Sequence, residues 1–463
     1  MLHTKTSHIE EIIGEAIEKA RHYTEPQLIS VVDQIDYIDA YQFMDHGQVV
    51  DYHRLFWRSA EEDFTMVGVG TASKLFATSE RRFKEVQSLW NEIREHAVIY
   101  NRYGEKGTGV VAIGGFSFDS KQKNASPWEA FPDSQMTIPA YLLTNKSGKS
   151  FLTTNVMIFP EDHQQQIVNQ IADHHEKLLS LTDHDFQLPE RTNTSEVAPE
   201  LWKASVKEAT DDIKKGLLEK VVLARELRIS FSEPVQIAGV LKALAESQDN
   251  SYIFGFESEG DYFVGATPER LAKVDKRELI STCLAGTVPR GGTEEEDQHL
   301  GRDLLHDPKN RQEHQFVVEM IKEAVEACAT NVDIPEEPVL YPLKNLQHLY
   351  TPVRATLDEG YTILDVIEKL HPTPALGGLP QQSSVEYIRH HETLNRGWYA
   401  GPIGWFDDHN NGEFAVAIRS ALIQNDSASL FAGCGVVEDS DPQAEYEETA
   451  VKLKPMLSVL GGY

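Results

Sequence analysis

The sequence predicts an α+β fold built on antiparallel sheet, and three observations point there. Short runs of β-forming residues are joined by turn signals of hairpin length. The helical stretches come in blocks of their own. Gly68-Val69-Gly70 lacks the third glycine and the βαβ setting of a doubly wound nucleotide fold.

From the N-terminus, residues 8–22 carry apolar side chains at helical spacing and predict an amphipathic helix. β-like runs follow at 27–32, 64–70 and 109–118. Two more, 137–143 and 151–159, flank Asn145-Lys146-Ser147-Gly148-Lys149, a sequence suited to a tight hairpin turn. Helices are expected over 78–97 and 162–181. The stretch 183–199 is polar, contains two prolines and lacks periodicity, so it reads as a linker. It divides the chain into an N-terminal α+β region, 1–195, packing on a C-terminal part, 196–463.

Beyond that point a helix over 200–215 is closed by Gly216, and 219–229 is rich in β-branched residues. Strands are expected at 252–257, 262–266 and 278–285, and a long helix at 308–329 begins after Asp307-Pro308. Further strands at 401–406, 413–422 and 429–437 lead to a final helix. That helix opens at Ser440-Asp441-Pro442, an N-cap candidate with proline in the first turn.

The chain has 463 residues, and its 43 basic and 73 acidic side chains give a formal net charge of −30. The length allows a sizeable core and the composition is that of a globular protein. So acidic a chain argues against non-specific binding to nucleic acid or to anionic membranes. A site for an anion must therefore build its own positive field, from a divalent cation or a few placed Lys and Arg side chains. Cys283, Cys328 and Cys434 are odd in number and far apart, which suits a reducing compartment rather than a disulfide framework. The N-terminus leads directly into an amphipathic stretch and no run approaches 18 apolar residues. A cytoplasmic protein without signal peptide or membrane span is expected.

Several side chains are candidates for chemistry. Glu445, Glu448 and Lys452 are spaced three and then four apart and share one face of the final helix, as a solvated stripe or as part of a site. That helix follows Ala432-Gly433-Cys434-Gly435, where backbone can approach a ligand closely. Glu313 stands in register with Val317, Met320, Ala324 and Cys328, and a carboxylate on a core stripe needs a partner or a cation. It could also simply serve the helix start. Carboxylates from two helices, without His or Cys at ligand spacing, suit a hard cation, with magnesium first. Lys220 opens an apolar strand as a solvated flank or, if buried, as a base of lowered pKa. Glu269 lies just past a strand and either pairs with Arg270 or faces a ligand. No GxxxxGK[ST] loop or GxSxG elbow occurs, and His174-His175 and His390-His391 are adjacent pairs whose side chains diverge.

Read together, these stretches resemble the chorismate-utilising enzymes, the group containing isochorismate, anthranilate, salicylate and aminodeoxychorismate synthases. The resemblance runs through most of 200–460 and rests on motifs in order: KVVLAR (220–225), FVGATPERL (263–271), LAGT (284–287), NRQEH (310–314), LHPTPALGG (370–378), GWYAGPIGW (397–405), VAIRSAL (416–422) and AGCGVVEDSDPQAEYEETAVKL (432–453). Within the group the chain most resembles the isochorismate synthases. HRLFWRS (53–59) and FTMVGVG (64–70) are similar to the menaquinone-pathway members. The residue after the second proline of HPTPAL is Thr in the anthranilate and salicylate branches and Ala in isochorismate synthases, and here it is Ala375.

The resemblance implies two large antiparallel sheets packed together with helices outside, and a catalytic part from 196 onward. It implies Lys220 as the base that activates water at ring C2, and Glu269 as the acid that protonates the departing C4 hydroxyl. Magnesium would be held by Glu313 and Glu448, with Glu445 helping directly or through water. Arg419 and Lys452, with backbone N–H groups near Gly433 and Gly435, would take the substrate carboxylates. His348, Ala375, Tyr399, Gly286 and Thr287 would line the pocket. The reaction implied is reversible conversion of chorismate to isochorismate, with no amidotransferase partner. A siderophore-pathway isochorismate synthase, a salicylate or anthranilate synthase, and a non-catalytic relative are the alternatives.

Overall fold

Antiparallel pairing organises the chain into two large sheets. The computed structural model describes residues 2–122, 125–180, 185–188, 190–343 and 346–461. The first sheet runs Arg191–Glu196, Lys220–Phe231, Ser427–Val436, Ser420–Gln424, Asp261–Thr267, Tyr252–Ser258, Arg54–Arg58, Phe64–Val69, Tyr141–Lys146, Lys149–Ile158, Gln27–Ile35 and Val98–Tyr100, with Gly378–Leu379 added beside Lys220–Phe231. The second runs Ala329–Asp333, Leu346–Leu357, Glu278–Pro289, Arg270–Asp275, Gly412–Val416, Pro402–Asp407, Val111–Phe116, Ser134–Ile138 and Ser73–Phe76, with Val339–Pro342 beside Leu346–Leu357. Among the described strands the parallel pairing is that of Gln27–Ile35 with Val98–Tyr100.

The two sheets pack face to face. Trp57, Leu142, Phe254 and Phe263 of the first share one buried cluster with Ile113, Leu271, Trp405 and Phe414 of the second. Phe64 meets Trp405 across the interface with ring centroids 5.4 Å apart. Strand side chains alternate in direction, so Phe56, Val67, Ile253, Val264, Ile423 and Leu430 point the other way. There they are covered by helices Ala40–His46, Ile237–Ser247 and Pro442–Val459. Covering both faces is why these strands read as continuous apolar runs. Helices Arg82–His96, Pro308–Glu326 and Ile363–Leu370 pack on the second sheet side. The α+β architecture of two packed sheets with outer helices is the one the motif series implied.

Most elements lie where periodicity places them. Ser147 and Gly148 both adopt left-handed φ, 49° and 74°, as a two-residue hairpin turn requires. Asp441 caps the last helix, accepting from the Gln443 and Ala444 amides at 3.0 and 2.9 Å.

The differences have physical causes. The run at 137–143 is two strands in different sheets, Ser134–Ile138 and Tyr141–Lys146, and Pro139, which has no N–H for a ladder, stands at the crossing. The run at 413–422 likewise splits into Gly412–Val416 and Ser420–Gln424, the chain changing sheets at 417–419, where Arg419 takes φ 52°. The expected linker holds an edge strand, Arg191–Glu196, paired along Lys220–Phe231 and exposed enough to be polar; residues 183, 184 and 189 of that stretch lie outside the described ones. Both sheets run across the 195/196 division: Arg54–Arg58 pairs with Tyr252–Ser258, and Val111–Phe116 with Pro402–Asp407. Helices Ala40–His46, Ile237–Ser247, Glu294–His306, Ile363–Leu370 and Gln381–His391, and strands Arg54–Arg58, Ser73–Phe76, Arg270–Asp275, Ala329–Asp333 and Leu346–Leu357, are among those with no counterpart in the expected elements.

Candidate active site

A cavity of about 210 Å³ opens where the chain crosses between the sheets. Pro268 and Glu269 form the short crossing from Asp261–Thr267 in the first sheet to Arg270–Asp275 in the second. Residues 417–419 make the return crossing. Both crossings deliver a charged residue, Glu269 and Arg419, to the cavity wall. Lys220 is the first residue of its strand, Gly433 and Gly435 lie on the neighbouring strand, and Gly286, Thr287 and His348 come from the second sheet. Glu313 reaches in from helix Pro308–Glu326, and Glu448 and Lys452 from helix Pro442–Val459. Ala375 and Tyr399 complete the expected set.

Glu445 is the exception, because it does not line the cavity. Its carboxylate accepts from Ser440 Oγ at 2.7 Å beside Cys434, and burial pushes its pKa up. The face that spacing draws as three residues is therefore two at the cavity, Glu448 and Lys452.

Lys220 is no solvated flank. It is only 7% exposed, and its ammonium is ion-paired with Glu313. Its main chain is held on one edge: Glu219 N–H donates to the Leu379 carbonyl and the Ser384 hydroxyl to the Lys220 carbonyl, both at 2.9 Å. A Cβ at Gly435 would stand 2.8 Å from Lys220 Cε, so a larger residue there would displace the Lys220 amine.

Strand parity also orients the glycine backbone. Val222 N–H donates to the Gly377 carbonyl and Ala224 N–H to Glu392, both away from strand Ser427–Val436. Their opposite numbers, Gly435 and Gly433, therefore also turn their main-chain groups away from this ladder. On that side Lys452 Nζ donates to the Gly433 carbonyl at 3.0 Å while pairing with Glu448 at 2.6 Å.

Glu269 sits in a site that strips it of solvent. Loss of solvent raises the Glu269 pKa to about 7, against the pull of Arg419, Lys452 and Lys220. The adjacent Arg270 does not neutralise it, because its guanidinium points the other way, to Glu61 at 2.6 Å and Tyr252 Oη at 2.7 Å. Loss of solvent, then Arg419 and Lys452, hold His348 neutral with a pKa of about 3, and its Nδ1 lies 2.8 Å from Thr287 Oγ1. Burial also raises the Tyr399 hydroxyl.

Among the described residues no three His, Cys, Asp or Glu side chains gather as a metal-binding group. What the cavity offers a cation is two glutamates from different helices, Glu313 and Glu448, each now balanced by a lysine. An all-oxygen pair of that kind suits magnesium, which keeps several waters and takes one or two carboxylates plus an anionic ligand.

Two polar wall residues, Asn310 and Arg396, were not singled out from sequence. Asn310 stands one turn before Glu313, and that spacing is the signal that could have found it. Arg396 pairs with Glu392 four residues away, a pattern that in sequence looks like any surface ion pair.

The chain is 42% identical over 462 residues to a protein named isochorismate synthase MenF of Bacillus subtilis, covering 96% of each chain. It is 34% identical to the salicylate biosynthesis isochorismate synthase of Pseudomonas aeruginosa, over 100% of this chain and 96% of that one. Its fold matches the solved structure of MenF, the menaquinone-specific isochorismate synthase of Escherichia coli, with a TM-score of 0.80 and 26% identity over 96% of this chain and 99% of that one. A family model described as chorismate binding enzyme matches residues 15–461. With nearly the whole length matched and the charged residues of its motifs converging on one cavity, the chain belongs to the chorismate-binding enzyme family.

Proposed function

We propose that the protein is a magnesium-dependent isochorismate synthase of menaquinone biosynthesis. The observation that carries this reading is one cavity wall holding Lys220, Glu269 and Ala375 together, in a chain whose relatives bear that name. Water attacks ring C2 as the ring double bonds shift and hydroxide leaves C4. Lys220, as the neutral amine released from Glu313, takes the proton from water while Glu269 gives one to the departing hydroxyl, which leaves as water. Return of that proton from Lys220 to Glu269 through solvent resets the pair. A Glu with a pKa near 7 suits an acid at neutral pH. Each such transfer contributes on the order of 10²–10⁴-fold.

Arg419 and Lys452 take the substrate carboxylates, with the backbone of Gly433 and Gly435 turned toward them. Glu313 and Glu448 would hold magnesium, which when bound supplies positive charge to the substrate carboxylate. Glu445 sits behind them, with its carboxylate held by Ser440 Oγ, and would help the cation only through water. Water as nucleophile removes any need for an ammonia-supplying partner. We place the reaction in the cytoplasm: the three cysteines are free and buried, and no described helix is long and apolar enough to cross a membrane.

The test is incubation with chorismate and magnesium followed by product separation. Isochorismate, in equilibrium with chorismate, is expected. Salicylate alone, or anthranilate with ammonia, would refute the assignment.

A further inference from the structure

We infer that the buried Arg396–Glu392 pair is a positioning device that sets the spacing between the strand carrying Lys220 and the loop carrying Ala375; this rests on the function proposed above.

The geometry begins at an interrupted sheet edge. On the side of strand Lys220–Phe231 away from Ser427–Val436, Gly378–Leu379 pairs with Lys220 and Val221, and Arg191–Glu196 pairs from Leu227 onward. Between those two short partners the Val222 N–H meets the Gly377 carbonyl at 3.0 Å, while the Val222 carbonyl and the Ala224 N–H are met by side chains. Arg396 Nη2 donates to the Val222 carbonyl at 2.7 Å, and Glu392 Oε2 accepts the Ala224 N–H at 2.8 Å. The same guanidinium donates from Nη1 to the Leu376 carbonyl at 3.1 Å, and from Nε and Nη2 to the two Glu392 oxygens at 2.7 Å each. One rigid fork thus ties a point two residues from Lys220 to a point one residue from Ala375. The Phe118 ring lies 4.3 Å from the guanidinium carbon and closes off one face.

Two arguments separate positioning from mere folding. A buried ion pair is a poor device for stability, since apolar residues of similar volume are often neutral or stabilising there. Both side chains are almost wholly buried, at 1% and 2% exposure, so the cost of dehydrating them is near its maximum. Nor does the pair serve to bind substrate, because the bonds above direct most of the guanidinium's five N–H groups to protein acceptors. What the fork supplies is a fixed planar geometry that lysine cannot reproduce. Displacements on the order of 1 Å at a reacting centre cost about 10²-fold in rate.

The test compares Arg396→Lys and the double variant Arg396→Met/Glu392→Gln, which keeps an acceptor for the Ala224 N–H. Steady-state kinetics and folded fraction are measured on the full chain with chorismate and magnesium. Positioning predicts folded proteins whose kcat falls about 10- to 100-fold while KM for chorismate changes less than about threefold. Wild-type kcat in either folded variant, or a kcat loss that only follows the folded fraction, overturns the proposal. Failure of both variants to fold makes the pair a folding requirement and overturns it equally. Product identity for the wild-type protein is read in the same assay. A wild type yielding another chorismate-derived product fails the function proposed above, yet leaves the kcat-against-KM split readable on that product.

Discussion

Glu269 carries opposed demands on one side chain. Its pKa of about 7 lies well above the usual 4.5, because desolvation outweighs three nearby cations. Below about pH 4.5 the folded and unfolded chains both hold the proton. Between 4.5 and 7 the unfolded chain releases it while the folded one keeps it, so stability declines as pH rises through that window. Above 7 the penalty is complete, with roughly 1.4 kcal/mol for each tenfold loss of acidity. Glu269→Gln should therefore unfold at higher urea concentration than wild type at pH 8 and at nearly the same concentration at pH 4.5. The same variant should lose about 10²–10⁴-fold in kcat, and wild-type kcat/KM should fall as pH rises through about 7. A variant destabilised at pH 8, or one that keeps its activity, would remove the carboxyl from the acid's place. Glu448 makes a separate prediction. It shares the cavity with Glu313 on another helix, so Glu448→Gln should raise the magnesium concentration for half-maximal activity by about tenfold or more, the scale on which altered metal-site contacts act; an unchanged titration would exclude it as a ligand.

Elements place these side chains, and some were readable in sequence for a reason that also explains the rest. Gly435 shows the coupling: its strand is neighbour to that of Lys220, and its missing Cβ is the space that Lys220 Cε occupies. Gly435→Ala should leave the circular dichroism spectrum unchanged yet reduce kcat by about tenfold or more through displacement of the amine, and wild-type turnover in that variant would show that Lys220 tolerates the shift. Helix Pro442–Val459 was legible because Asp441 and Pro442 mark its start and its face repeats at three and four. Hairpin 141–158 was legible because Ser147-Gly148 accepts left-handed backbone. Helix Glu294–His306 was not, since its first turn is acidic throughout and it buries little beyond Gly301 and Leu304, so it reads as a polar stretch. The crossing at Arg419 was hidden for another reason: apolar residues continue up to it, while the change of sheet is a tertiary event. Pro139 marks a break in the ladder, but the change of sheet it accompanies is equally tertiary. Thus the carboxylate and lysine of the last helix could be read from spacing, and the Arg396–Glu392 fork could not. Its partners at 222, 224 and 376 are distant in sequence and are backbone atoms rather than recognisable side chains.

At the scale of the molecule, the two sheets make the chain depend on itself from end to end. Strand Arg54–Arg58 is hydrogen-bonded on both edges, to Phe64–Val69 just after it and Tyr252–Ser258 far after it. In the other sheet Pro402–Asp407 relies on Val111–Phe116. The aromatic core crosses the same divide, with Trp128 against Phe263 and Phe431, and Phe64 against Trp405. A cut between 195 and 196 would expose Tyr252–Ser258 and Pro402–Asp407 as apolar open edges, which are templates for aggregation. We therefore expect fragments 1–195 and 196–463, expressed separately, to be insoluble or non-cooperative. The intact chain is expected to melt in one calorimetric transition whose van't Hoff enthalpy matches the measured heat. Because the net charge of −30 repels itself in the compact state, that transition should move upward in temperature between about 20 mM and about 200 mM monovalent salt, where screening becomes short-ranged. Two resolved transitions, or a soluble, cooperatively melting 196–463 fragment, would show that the catalytic part folds as an independent body.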